Sequence, residues 1–183
     1  MKNLPLEKAF LYIEPGPVVL IATNDGEKNN VMTISWTMVM DFSAKFCILT
    51  GSWNHSFDAL MKTKECVIAV PAADMAKKVV QIGSCSGSDT DKFKKFKITA
   101  LKADKVKAPL VKECLVNIEC KVVDYISKHG IVVLQGIAAH IDNKKRGECL
   151  RLFHAVGDGT FTVDGGKKLN YRKIMKEKLP AGV

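Results

Sequence analysis

Aromatic side chains are scarce in this 183-residue chain, at 7% against 47% hydrophobic residues in all. The core must therefore be assembled from Val, Ile, Leu and Ala, which suits a β-rich body. No apolar run approaches the ~18 residues that a membrane-spanning helix needs, and the opening MKNLPLEKAF carries no hydrophobic signal segment. The expectation is a cytoplasmic protein with no membrane partner. None of the six cysteines (47, 66, 85, 114, 120 and 149) stands in a CxxC or other metal-ligating spacing, so no metal site is expected and most of them read as packed free thiols. No GxGxxG follows a strand-like run, which argues against a dinucleotide-binding βαβ unit. No repeat or low-complexity tract divides the chain, and a single domain over residues 1–183 is expected.

What the chain has in excess is positive charge, a net +9. Residues 62–112 hold twelve Lys against five acids, residues 144–178 hold ten Lys or Arg against four, and the first fifty residues are slightly acidic. Most such charges form solvated faces. Clustered in this way they also suit an anionic cofactor, an acidic redox protein or nucleic acid.

Short strand-like runs recur at regular intervals. PVVLIAT (17–23) is followed by the turn NDGEKNN, then by strands expected over 31–40, 46–50 and 66–70, and by the long pair 115–127 and 131–141. Helical spacing marks 56–62 (Phe57, Leu60, Met61) and 74–82, and the basic stretch after SCSGSDTD fits one or two turns. GTFTVDGGKKLNYRKIMKEK (159–178) reads as a short strand with a basic helical end, placed to reach a second subunit. Strands outnumber helices, and a mainly β barrel is expected.

Chemistry concentrates in three stretches. GSWNHSFDAL (51–60) offers Asn54, His55, Ser56 and Asp58, but adjacent His55 and Ser56 do not present a nucleophile to its base, and no glycine-flanked elbow surrounds the serine. The same stretch leaves a strand and enters a helix, where free N–H groups and the helix dipole favour an anion; Ser52, Asn54 and Ser56 add donors and His55 adds charge when protonated. A plain helix cap by Asn54 or Ser56 explains that stretch equally well on its own. NNVMTISW (29–36) is a strand mixing polar and apolar positions, able to face a flat heterocycle with Trp36 beside it. SGSDTDKF (86–93) delivers Lys92 from a small-residue loop towards a phosphate or an electron-rich ring.

Taken in order, PGPVVLIAT, NNVMTISW, SWNHS, ECVIAVP, GSCSGSDTDKF and NIECKVVDY resemble the flavin reductase-like family, its flavoredoxin branch above all. The likeness spans roughly residues 10–165. It implies an FMN-binding split β-barrel, a Greek-key antiparallel barrel with short flanking helices, assembled as a homodimer with the flavin near the subunit interface. On that resemblance Asn30, Val31, Met32 and Thr33, with Trp36 nearby, would hold the ring; Ser52, Trp53, Asn54, His55 and Ser56 would surround the phosphate or ribityl chain; Lys92 would approach the flavin; His129 and Phe161 would stand close to the ring. The sequence departs from the family pattern where Phe42-Ser43-Ala44 replaces a Pro-Pro pair and where Ala69 replaces a frequent Asn.

The resulting expectation is an FMN-dependent oxidoreductase or electron-transfer protein that needs no dedicated catalytic acid or base. Its electrons would come from NAD(P)H, as in a flavin reductase, or from a redox protein that meets the lysine-rich surface. A basic small-barrel nucleic-acid module is the alternative from another class, weakened because only Phe93 and Phe96 interleave with the lysines, at helical spacing.

Overall fold

Strand β1 (Val19–Asn24) is buried at every position from Val19 to Thr23 instead of alternating, so it must be covered on both faces. The computed structural model, which describes residues 16–165, shows how. Leu20 and Ala22 point to an outer core, whereas Val19 and Ile21 point into a barrel interior. The sequence before residue 16 and the basic helical end expected after residue 165 lie outside the described residues.

β1 pairs antiparallel with β2 (Asn29–Ile34) and β5 (Glu65–Val70), in register at Leu20↔Thr33 and Leu20↔Ala69. The remaining strands of the sheet are β3 (Thr37–Asp41), β4 (Lys45–Leu49), β8 (Val116–Ile126) and β9 (Ile131–Ile141), and the order across it is β2-β1-β5-β8-β9-β4-β3. Two short pairs, β6 (Ala100–Leu101) with β7 (Leu110–Val111) and β10 (Phe153–Ala155) with β11 (Phe161–Val163), stand apart from it.

The expected single strand over 31–40 is therefore two strands, and they lie at opposite edges of the sheet. Only Ser35 and Trp36 separate them. A flat sheet of this width would hold its edges ~29 Å apart, yet the chain from Ile34 to Thr37 spans ~11 Å at most. The sheet must curl until its edges meet, which makes it a barrel split between β2 and β3. Register shifts in the long β8–β9 ladder, at Glu119/Cys120 and Val122/Asp124, add the bending this requires.

Helix α1 (Ser56–Thr63) sends Leu60 into the interior among Ile21, Ile34, Ile48, Cys66 and Leu134, with Phe57 and Met61 against the same cluster. Asp58 in its first turn and Lys62 in its last match the helix dipole, and Lys64 ends it with φ 57. Helix α2 (Ala76–Gly83), entered through a 3₁₀ turn at Ala73–Met75, buries Val79 and Ile82 on the outer core. Leu60→Ala should cost about 3 kcal/mol of unfolding free energy through the cavity it leaves, read as a lower urea midpoint at constant slope; a loss below about 1 kcal/mol would show that α1 does not plug the barrel.

The outer layer is pinned by one buried carboxylate. Glu119, with no exposed surface, accepts N–H bonds from Asp104, Lys105 and Val106 at 2.6–3.0 Å, and His140 Nε2 lies 2.7 Å from its Oε1. Burial pushes its pKa up, but the bonds from His140 and these three amides outweigh burial and hold the carboxyl below its ordinary range. Asp104, Glu119 and His140 are also the one group of metal-type donors close together among the described residues. With its oxygens already occupied by backbone amides, Glu119 reads as a clip for the 104–106 segment.

Candidate functional site

At the β2 edge of the barrel, three adjoining hollows form one groove. The central hollow, about 340 Å³, is walled by β2, the strand-to-helix stretch 53–56 and the loop 83–87. Asn30 Nδ2 donates to Ser56 Oγ at 2.8 Å and ties β2 to the start of α1. Thr33 Oγ1 donates to the Val79 carbonyl at 2.7 Å and ties β2 to α2. Gly87 closes over Asn30 so tightly that a Cβ there would lie 2.5 Å from the Asn30 amide and would push that side chain aside.

Neither polar neighbour caps α1. Its N-cap position is His55, with no side-chain cap bond; Asn54 Nδ2 donates to Thr50 Oγ1 at 3.1 Å; Ser56 Oγ is engaged by Asn30. The positive end of an eight-residue helix thus faces the groove without a side-chain acceptor. Ser56 is also buried and bonded to an amide, not to an imidazole, which leaves nothing of a serine–histidine pair.

Lys92 opens helix α3 (Lys92–Lys95), whose cap Asp91 accepts the Lys94 N–H at 3.0 Å. The lysine is only 5% exposed, lines the central hollow, and has no hydrogen bond or ion pair among the described residues. Burial lowers its pKa, partly countered by Cys85 and Asp89 nearby. Its ammonium opens onto the hollow without a protein partner, where an anion would form a charge-assisted bond to it.

Trp53 lies across the end of the groove against two glycines: a Cβ at Gly51 would meet its ring at 2.2 Å, and one at Gly130, where φ is +65, at 2.9 Å. Trp36 lines the third hollow, about 190 Å³, together with Thr33, Trp53 and Asn54.

Of the residues expected from sequence, Asn30, Met32, Thr33, Trp53, Asn54, His55, Ser56 and Lys92 converge on the central hollow, and Trp36 joins at the third. Val31 is buried in the outer core, so its side chain faces away from the groove and only its backbone on edge strand β2 is available there. Ser52 is exposed on the turn and lines none of the hollows. His129, exposed in the β8–β9 turn beside Gly130, and Phe161, packed on Phe153 with ring centroids 5.8 Å apart, are also outside the groove of the single chain. Ser84, Cys85, Ser86 and Gly87 form a further wall that was not among the residues expected at the site; the small-residue run GSCSGS before Lys92 is the signal for it. Phe93 and Phe96 pack against the outer core.

A curled antiparallel barrel with a lysine-lined groove at its split edge has the architecture of the FMN-binding split barrels. The flavin reductase-like domain model matches residues 11–159, and the chain belongs to that family. An uncharacterised protein of Archaeoglobus fulgidus is 30% identical over 167 residues, covering 90% of this chain and 84% of that one. Among solved structures, flavoredoxin from Methanosarcina acetivorans superposes with a TM-score of 0.80 at 21% identity, covering 98% of this chain and 100% of the other. Flavoredoxin of Desulfovibrio vulgaris does so with 0.76 at 19% identity, covering 93% and 94%. Among the described residues no helix is long and apolar enough to cross a membrane.

Proposed function

We propose that the groove holds FMN without a covalent link and that the protein is an FMN-dependent oxidoreductase of the flavoredoxin type, passing electrons to a second acceptor. The observation that carries this reading is Lys92, buried, unpartnered among the described residues, and set beside the uncapped start of α1. The residues fit the group: an ammonium, helix N–H groups and the Asn30–Ser56 pair for its anionic end, and the β2 edge with Thr33, Trp36 and Trp53 for a flat ring. FMN, when bound, supplies one- and two-electron transfer at its ring. The chain's own part is to neutralise charge through Lys92, to fix the ligand through Asn30 and Ser56, and to shield it from water with Trp53.

Strand β3 supports a homodimer. It is an edge strand, yet Val39 is 68% exposed and Phe42 just beyond it 81%, with Trp36, Met38 and Met40 also exposed. A second copy laid over this strip would bring apolar surface out of water at the end of the groove, where His129 and Phe161 of either subunit could reach a ring. The donor is the finer question. NAD(P)H, reaching an open ring face, would make the protein a flavin reductase; the lysine-rich surface favours an acidic redox protein in the cytoplasm. Anaerobic addition of NADH or NADPH to the FMN-loaded protein, and separately of a reduced ferredoxin-type protein, distinguishes the two. The flavoredoxin reading expects the flavin absorption near ~450 nm to bleach rapidly only with the protein donor; rapid bleaching by a nicotinamide would assign it as a flavin reductase.

A further inference from the structure

Two of the cysteines face one another across the sheet. Cys66 on β5 and Cys120 on β8 are register partners in an unbroken antiparallel ladder that runs from Glu65↔Lys121 to Val70↔Val116. Both side chains belong to the barrel interior with Ile21, Leu60 and Leu134, and neither has exposed surface. Directly opposed residues of an antiparallel pair hold their Cα atoms ~4.5–5.5 Å apart, inside the ~4.4–6.8 Å that a disulfide spans. The backbone is already set for a bond between them. No other two cysteines are strand partners among the described residues: Cys47, on β4, faces Met38 and Val133.

The two thiols also touch. Contact with Cys120, and after it burial, holds the Cys66 thiol well above its ordinary range. The Cys120 S–H donates to the Ile118 carbonyl at 3.5 Å. In the closed barrel Cys66 is therefore protonated and out of reach of a dissolved oxidant, and both cysteines stand as free thiols. During folding, before the interior is covered, both sulfurs are open to solvent and the pairing of β5 with β8 brings them together. The chain between them carries α2, the groove wall 84–87, Lys92 and the 104–106 segment that Glu119 holds. A bond from Cys66 to Cys120 would close that whole stretch into one loop and restrict it in the unfolded chain.

We propose that Cys66 and Cys120 are a redox-sensitive pair, closing into a cross-strand disulfide when the chain folds in the presence of a low-molecular-weight disulfide, and that this bond locks the segment bearing the groove wall and Lys92. One cysteine thiolate attacks the small disulfide, forms a mixed disulfide and releases a small thiolate; the other cysteine thiolate then attacks the protein-bound sulfur and releases the second. The two cysteines are oxidised, the small disulfide is reduced to two thiols, and the two cysteine protons end on those thiols. Nothing in this step depends on what the groove binds.

The test is refolding of the full chain from urea with reduced glutathione alone or with an excess of oxidised glutathione, followed by alkylation, mass measurement and peptide mapping. Oxidative refolding is expected to give a chain lighter by two hydrogens with Cys66 linked to Cys120. Its urea midpoint should stand higher by about 1 M, and dithiothreitol should return it to the reduced value. Cys120→Ala refolded in the same two buffers should gain nothing from the oxidant. Mapping and midpoint of the unsubstituted protein decide the matter even where that variant fails to fold. Free thiols at both positions after oxidative refolding, or a link between a different pair, overturn the proposal. A Cys66–Cys120 link that leaves the midpoint unchanged or lowers it overturns the locking role.

Discussion

Lys92→Ala should weaken FMN binding by about 50-fold, the cost of about one buried charge-assisted hydrogen bond at 1.4 kcal/mol per tenfold. The lysine side chain is mostly buried and has no hydrogen bond or ion pair among the described residues, so an incoming anion in the hollow displaces only water from it. Ser56→Ala should cost less, about five- to tenfold, because it removes a single neutral group that orients Asn30. The pH dependence follows from the lowered Lys92 pKa. A bound anion raises that pKa again, so affinity is full below the free-state value and falls as pH rises towards the bound-state value. The fall begins below the ordinary lysine value of 10.5. It should be missing in Lys92→Ala. Full flavin occupancy in that variant would remove Lys92 from the site.

Glu119→Ala should destabilise the fold by about 3–4 kcal/mol, enough to leave a marginal protein partly unfolded. The substitution strands three amides at the 104–106 segment and removes the His140 contact, at a position with no access to water. Its acid dependence has a definite sign. The folded-state pKa lies below the ordinary 4.5, so the stabilisation is present above the unfolded-state pKa and is lost as pH falls through the folded value. Urea midpoints at pH 7 and in this acid window should converge in Glu119→Gln relative to the unsubstituted protein. Parallel curves would show that the carboxylate charge contributes nothing to the clip.

Much of this was legible beforehand, because the strongest signals were local. Alternating or continuous apolar runs bounded by turns such as Asn24-Asp25-Gly26 marked the strands, and SWNHS between a strand and Phe57-Leu60-Met61 marked a helix start open to an anion or to a plain cap. The break at Ser35–Trp36 was hidden because NVMTISWTMVM alternates without a glycine or proline, and only sheet closure divides it. The loop SGSDTDKF pointed to Lys92 as an anion partner, but its burial was not legible; packing of α3 against β2 buries it and leaves its neighbour Lys94 exposed. Glu119 carried no signal in the sequence, since nothing in its own strand, NIECKVV, announces the amides that cover it. The Asn30–Ser56 bond joins residues 26 apart and had no sequence signal at all.

The central claim, that this groove holds FMN, is tested most directly by titrating FMN into the flavin-free protein and following flavin fluorescence. Quenching that saturates at one FMN per chain is expected, with full release of the flavin on acid precipitation and a weakened curve in Lys92→Ala. Flavin fluorescence unchanged across the titration would contradict it.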